Sequence, residues 1–144
     1  MKCVFIVLDT VRRDYLTAYG NDWVHTPNIS RLSQQGVTFD NHWVGSLPCM
    51  PARREFMTGR YNFVYRGWGP IEPYDDTLPG ELRKQDIFTH ILTDHDHYFE
   101  LGGENYHTAF NTWEFFRGQE NDPWSSAVDR MALPEHLGQL SAQN

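Results

Sequence analysis

The first third of the chain alternates between apolar runs and polar segments. Residues 3–8 are continuously apolar and end at Asp9, a pattern typical of a strand buried on both faces of a parallel sheet. Residues 26–36 predict a helix, with Thr26 as N-cap, Pro27 in the first turn and Gly36 as C-cap. Residues 37–44 then alternate well enough for a second short strand.

The middle of the chain predicts a second helix followed by a long connection. Good helix formers run from Ala52 to Thr58 and are closed by Gly59, which places Cys49 at the helix N-terminus. Residues 61–77 are rich in Gly, Pro, Tyr and Trp and predict an irregular connection, a type of segment that is often functional.

The remaining segments complete an alternating order of strands and helices. Residues 78–85 open a third helix, and residues 87–93 form a third strand. Residues 101–124 are expected to be loop with a few short elements, and residues 132–144 contain no clear closing strand or helix. This order predicts an α/β fold with a parallel or mixed sheet and right-handed crossovers. We expect that sheet to be incomplete.

Composition and charge restrict the function classes. The 144 residues are 40% hydrophobic, which suffices for one compact domain. Twelve Lys and Arg against 19 Asp and Glu give a net charge of −7, which argues against nucleic acid or a membrane surface as partner. The N-terminal apolar run is too short for a signal peptide, and the two cysteines do not form a disulfide framework. We therefore expect a cytoplasmic protein.

The strongest chemical signal is the segment Cys49-Met50-Pro51-Ala52-Arg53. It resembles the C-x-P-x-R signature of sulfatases, in which a separate enzyme oxidises the cysteine to formylglycine. Other segments in the expected places make the resemblance specific, and it extends from about residue 3 to residue 124. These segments are the apolar run ending at Asp9, Thr26-Pro27-Asn28 and Thr58-Gly59-Arg60-Tyr61.

Elementary chemistry gives this spacing a reason that is independent of the resemblance. A nucleophile at a helix N-terminus lies at the positive end of the helix dipole, where anions are favoured. Arg53, one turn after Cys49, offers a planar fork for a sulfate, a phosphate or a hydrated aldehyde. The alternative is that Cys49 is a small buried thiol beside a surface arginine.

The resemblance implies an alkaline phosphatase-like sulfatase fold, with a mixed, largely parallel sheet flanked by helices. Residues 1–144 would then be the N-terminal part of the catalytic domain, a fragment. It also implies a divalent cation, calcium first with magnesium or manganese as alternatives, bound by Asp9, Thr10 and the formylglycine made from Cys49. Many sulfatases carry two adjacent aspartates where this chain has Asp9-Thr10. That departure resembles branches that include phosphonate and phosphodiester hydrolases.

A histidine-rich segment corresponds to the family's G-K-W-H segment. His97 matches the family histidine and would transfer protons, whereas His95 stands where lysine is usual and would bind substrate. Residues 94–97 could alternatively form a small metal cluster. Alternation on a strand end would, however, place the two histidines on one face and the two aspartates on the other.

These observations predict a sulfuric ester hydrolase acting on a small-molecule or glycan sulfate ester, with a formylglycine-generating enzyme as partner. There are two alternatives. One is a phosphonate or phosphate diester hydrolase, and the other is an inactive fold fragment that acts only as an interaction module. We expect Asp9, Cys49, Arg53 and His97 to converge at the C-terminal edge of the sheet. The isolated chain is expected to hydrolyse sulfate esters poorly, because it supplies few cation ligands.

Overall fold

The computed structural model describes residues 2–64, 67–100 and 106–117. The chain divides into two compact units, residues 1–69 and residues 70–144. The predicted features of residues 132–144 lie outside the described residues. None of the helices in the described ranges is long and apolar enough to cross a membrane.

Helix α1, Pro27–Gln35, forms in the first unit where the sequence predicts it. Pro27 is in the first turn, where its missing N–H is not needed, and Gly36 follows the last residue. Thr26 is the N-cap residue, but its side chain makes no capping bond. Instead, its Oγ1 accepts a hydrogen bond from the backbone N–H of Thr17 at 3.3 Å. Thr26 therefore ties the helix start to the preceding turn.

Helix α2, Cys49–Thr58, confirms the predicted position of Cys49 at a helix N-terminus. The helix begins three residues earlier than the run of good helix formers. It ends at Gly59, which has a φ of 68° and donates its N–H to the carbonyl of Glu55 at 2.8 Å. Glycine adopts this left-handed conformation without steric cost, which explains why the helix stops there.

The second unit contains helix α3, Leu78–Lys84, and two strands, β1 (His90–Thr93) and β2 (Thr112–Phe115). Thr77 caps α3 by accepting a hydrogen bond from the N–H of Gly80 at 3.2 Å. The strands pair in parallel, with His90 opposite Thr112. The predicted third strand is thus confirmed over its last four residues.

Strand β2 and a short 3-10 helix, Tyr106–Ala109, lie in the region predicted as loop with a few short elements. Of that region, residues 101–105 and 118–124 lie outside the described residues. The parallel pair β1 and β2 agrees with the predicted α/β class.

Two other predicted strands are wrong for the residues that the structure describes. Neither residues 3–8 nor residues 37–44 are assigned to a strand, and Val4 and Trp43 are 83% and 85% exposed. An apolar run becomes a buried strand only where neighbouring strands satisfy its N–H and C=O groups. No strand lies in the described part of the first unit to do so.

Aromatic side chains form the packed centre of the second unit. Tyr98 stacks on the fully buried Tyr106, with ring centroids 4.9 Å apart. Phe99 stacks on His107 at 4.3 Å and meets the edge of Trp113 at 5.5 Å. Because Tyr98 and Phe99 follow His97 directly, this packing anchors the histidine segment.

Candidate active site

Cys49 is the first residue of α2 and is half-buried. The first backbone bond of the helix runs from the N–H of Ala52 to the carbonyl of Pro48 at 3.3 Å. The side chain of Cys49 therefore starts from the end of the helix at which the peptide dipoles present positive charge. This position suits a nucleophile that must meet an anionic substrate.

Asp9 lies next to Cys49 although the two residues are distant in sequence. A carboxylate oxygen of Asp9 and the Sγ of Cys49 are within 4.8 Å of each other. Arg53 completes the group, because its Nη2 donates a hydrogen bond to Oδ2 of Asp9 at 2.8 Å. Arg53 is only 8% exposed. The structure thus brings three of the predicted site residues together within the first unit.

Thr10 holds the other oxygen of the Asp9 carboxylate. Its hydroxyl donates a hydrogen bond to Oδ1 of Asp9 at 3.1 Å. The φ of Thr10 is 61°, a conformation that is costly for a β-branched residue. Strained backbone of this kind persists only where the surroundings impose it, and such positions cluster at functional sites. Asp9 is therefore oriented from both sides, by Thr10 and by Arg53.

His95 and His97 lie in the second unit, directly after β1. His95 is 2% exposed and precedes the 3-10 helix Asp96–Phe99, so the pair is held by a helical turn, where the sequence predicted a strand end. The two imidazole centroids are 5.2 Å apart. His97 Nδ1 contacts Oε1 of Glu100 at 2.6 Å. A carboxylate acceptor at Nδ1 places a proton there, so in the neutral ring Nε2 is the proton acceptor.

The alternative metal cluster at residues 94–97 does not form in the described chain. These four side chains do not bring three ligand atoms close enough together to hold a common ion. Asp96 is 5% exposed and is the first residue of the 3-10 helix Asp96–Phe99.

Two further residues of these segments were not identified from the sequence. Glu55 of α2 binds the turn before Cys49, and its contacts join segments that only the fold brings together. His107 is buried against Phe99, and burial lowers its pKa below the ordinary value of 6.5, while a hydrogen bond to the carbonyl of Tyr98 opposes that shift. Only the aromatic density around His107 indicates its burial in advance.

Comparison with known proteins identifies the family. The Sulfatase family matches residues 2–138 of this chain. The chain therefore belongs to the sulfatase family, as the segments around Cys49 predicted.

Individual relatives match over shorter stretches. Arylsulfatase H of Homo sapiens is 41% identical over 58 residues, which are 40% of this chain and 10% of the relative. The arylsulfatase of Clostridium perfringens is 32% identical over 93 residues, 62% of this chain and 19% of the relative. The multifunctional alkaline phosphatase superfamily protein PehA of Trinickia caryophylli is 36% identical over 77 residues, 50% of this chain and 15% of the relative.

The chain thus spans less than a fifth of the length of these relatives. No solved structure matches it significantly.

Proposed function

We propose that this chain carries the nucleophile of a sulfuric ester hydrolase, with Cys49 acting after its conversion to formylglycine by a maturation enzyme. The proximity of Asp9 and Cys49, within 4.8 Å, carries the proposal. Each residue belongs to a different segment that resembles sulfatases, and the two segments meet at one point of the first unit. Membership of the sulfatase family supports the same function.

We also assign the chain to the alkaline phosphatase-like architecture, with a mixed, largely parallel sheet flanked by helices. The family match and the parallel pairing of β1 and β2 support this assignment. In open parallel sheets, ligands bind beyond the carboxyl ends of the strands. His95 lies in such a position, two residues after the end of β1.

The donor chemistry fits a hard divalent cation once Cys49 has been converted. The Asp9 carboxylate and the Thr10 hydroxyl offer oxygen, which calcium, magnesium and manganese prefer, whereas a thiol offers soft sulfur. Conversion replaces that sulfur by oxygen and makes the donor set uniform. Asp9, Thr10 and the converted Cys49 would hold the cation, and it would polarise an oxygen of the sulfate group.

Arg53 is proposed to bind and orient the sulfate oxygens. Its guanidinium presents several N–H donors in one plane, and the bond to Asp9 fixes that plane. The positive end of α2 adds to the attraction for an anion. A local positive site of this kind is needed because the chain as a whole has a net charge of −7.

His97 is proposed to move protons and His95 to bind the substrate, as the resemblance implies. The contact between His97 Nδ1 and Glu100 supports a proton-transfer role, because it fixes the tautomer and leaves proton exchange to Nε2. The buried ring of His95 meets the ring of His97 nearly at a right angle, which restricts how either can turn.

A phosphonate or phosphate diester hydrolase is the second candidate. PehA, a relative of this chain, is a multifunctional member of the alkaline phosphatase superfamily. The dipeptide Asp9-Thr10, in place of two aspartates, points to the same branch. Both candidates use the same nucleophile and differ in the group that is transferred.

Paired hydrolysis assays separate the two candidates. A protein that contains these residues and is produced with the maturation enzyme would be given an aryl sulfate and an aryl phosphonate. We expect faster turnover of the sulfate, and loss of both activities in Cys49→Ala. Hydrolysis that persists in Cys49→Ala would contradict the proposal, and faster turnover of the phosphonate would favour the second candidate.

A further inference from the structure

The carboxylate of Glu55 holds the turn that leads into Cys49. Its Oε2 accepts a hydrogen bond from the N–H of Gly45 at 3.1 Å, and its Oε1 accepts one from the hydroxyl of Ser46 at 2.7 Å. Oε1 also accepts from the N–H of Asn62 at 2.9 Å. One side chain of α2 therefore ties the segment before the helix to the segment after it.

Gly45 and Ser46 lie close against this carboxylate. A Cβ added at Gly45 would lie 2.6 Å from Oε2 of Glu55 and 2.7 Å from Cδ1 of Tyr61. Ser46 is 7% exposed and donates to Glu55, while its Oγ accepts a hydrogen bond from the N–H of Phe63 at 2.8 Å. Gly45 can lie this close to Glu55 because it has no side chain, and Ser46 contacts Glu55 through its hydroxyl.

We propose that Glu55 is a positioning residue that fixes residues 45–48 and thereby sets the place and direction of Cys49 at the start of α2. The importance of Glu55 for catalysis rests on the proposed function, in which Cys49 is the nucleophile. Pro48, the residue before the helix, makes no side-chain capping bond. Hydrogen bonds to an ionised acceptor are stronger than neutral ones. A carboxylate that accepts from three donors can therefore order this turn, although the helix has no side-chain N-cap.

The first test is backbone amide exchange in the 144-residue chain with Cys49 unconverted. In Glu55→Ala we expect the amides of Gly45 and Asn62 to exchange at least about tenfold faster, because each loses a charge-assisted bond. Glu55→Gln keeps one acceptor oxygen and should show a smaller increase. Amides inside α2 should keep their rates, as should every amide of the first unit in the control Glu81→Gln, an exposed residue of α3.

The second test is the alkylation rate of Cys49, resolved by peptide mass spectrometry with the exposed Cys3 as internal reference. Glu55→Ala should raise the alkylation rate of Cys49, relative to that of Cys3, by about threefold or more, because an ordered turn restricts access to the thiol. Ser46→Ala, which removes the same link from the other side, should shift the ratio in the same direction.

Two results would overturn the positioning role. Uniformly faster exchange throughout α2 would make Glu55 a general stabiliser of the unit, and unchanged alkylation in both Glu55→Ala and Ser46→Ala would show that the turn does not control Cys49. Neither readout needs formylglycine or turnover. Failure of this inference is therefore distinguishable from failure of the proposed function. If the proposed function failed, Cys49 would remain a thiol, and both readouts could still be measured.

Discussion

Arg53 donates a hydrogen bond to Asp9 at 2.8 Å, across 44 positions of the sequence. The side chain of Arg53 is 9% exposed and that of Asp9 is 40% exposed, so the pair lies at the edge of the packed interior. An arginine in this setting needs a charged acceptor, because its buried N–H groups have lost water. The same bond orients Asp9 beside Cys49.

We expect Asp9→Asn to lower the free energy of unfolding by about 1.5 kcal/mol, because a buried guanidinium loses its counter-charge. Asp14→Asn is the matched control. Asp14 pairs with Arg12 in the same chemistry but on an exposed surface, and that pair should contribute nothing measurable. Denaturant titration of the two variants checks this. Equal effects of the two substitutions would show that burial of Arg53 does not matter.

Conversion of Cys49 should raise the affinity for calcium. The converted side chain offers oxygen in place of sulfur, which suits a hard cation. We expect calcium to raise the melting temperature of the converted chain and to have less effect on the thiol form, because a ligand stabilises the state that binds it. Asp9→Ala in the converted chain should abolish the increase. The same increase in all three forms would place the cation elsewhere.

Gly59 should be needed for the end of α2. Because its φ is 68°, Gly59→Ala forces a side chain into the left-handed region, and we expect a loss of about 1 kcal/mol of stability. Gly67→Ala is the control, since an added Cβ there meets nothing within 4 Å and no positive φ applies. Thermal unfolding of both variants gives the comparison. A melting temperature that stays unchanged in Gly59→Ala would contradict the role of Gly59 as the C-cap of α2.

Local signals explain why the helices could be predicted and two of the strands could not. Pro27, Gly59 and Thr77 each specify a helix boundary through their own backbone or side chain, and all three helices form where expected. The apolar run at residues 3–8 specifies only the need for a partner strand, which must come from elsewhere.

Some features of the site could likewise be predicted from local sequence patterns, and others could not. The position of Cys49 could be predicted because a local pattern sets a helix start. The meeting of Asp9 with Arg53 could be expected only from the resemblance to sulfatases. The link from Glu55 to Gly45 and Asn62 depends on how three segments fold around one another, and no sequence pattern indicates it.

His107 should make the second unit sensitive to acid. Burial lowers its pKa below 6.5 in the folded state, so the unfolded chain takes up the proton first as the pH falls. Its contribution to stability is complete above the unfolded pKa of about 6.5, and it is lost as the pH falls from there through the lower pKa of the folded state. Unfolding curves between about pH 8 and about pH 5 should show this loss, and His107→Gln should reduce the slope. An identical slope in the variant would assign the acid sensitivity to other groups.

Peptide mass spectrometry of Cys49 tests the central claim most directly. The chain would be produced with and without a formylglycine-generating enzyme, digested, and treated with a thiol-alkylating reagent and an aldehyde-reactive hydrazide. We predict that co-production changes the peptide from the alkylated thiol to the hydrazone of an aldehyde, with Arg53→Ala as a variant of the recognition motif that blocks conversion. A peptide that remains fully alkylated at Cys49 in a host able to convert a known sulfatase would contradict the account.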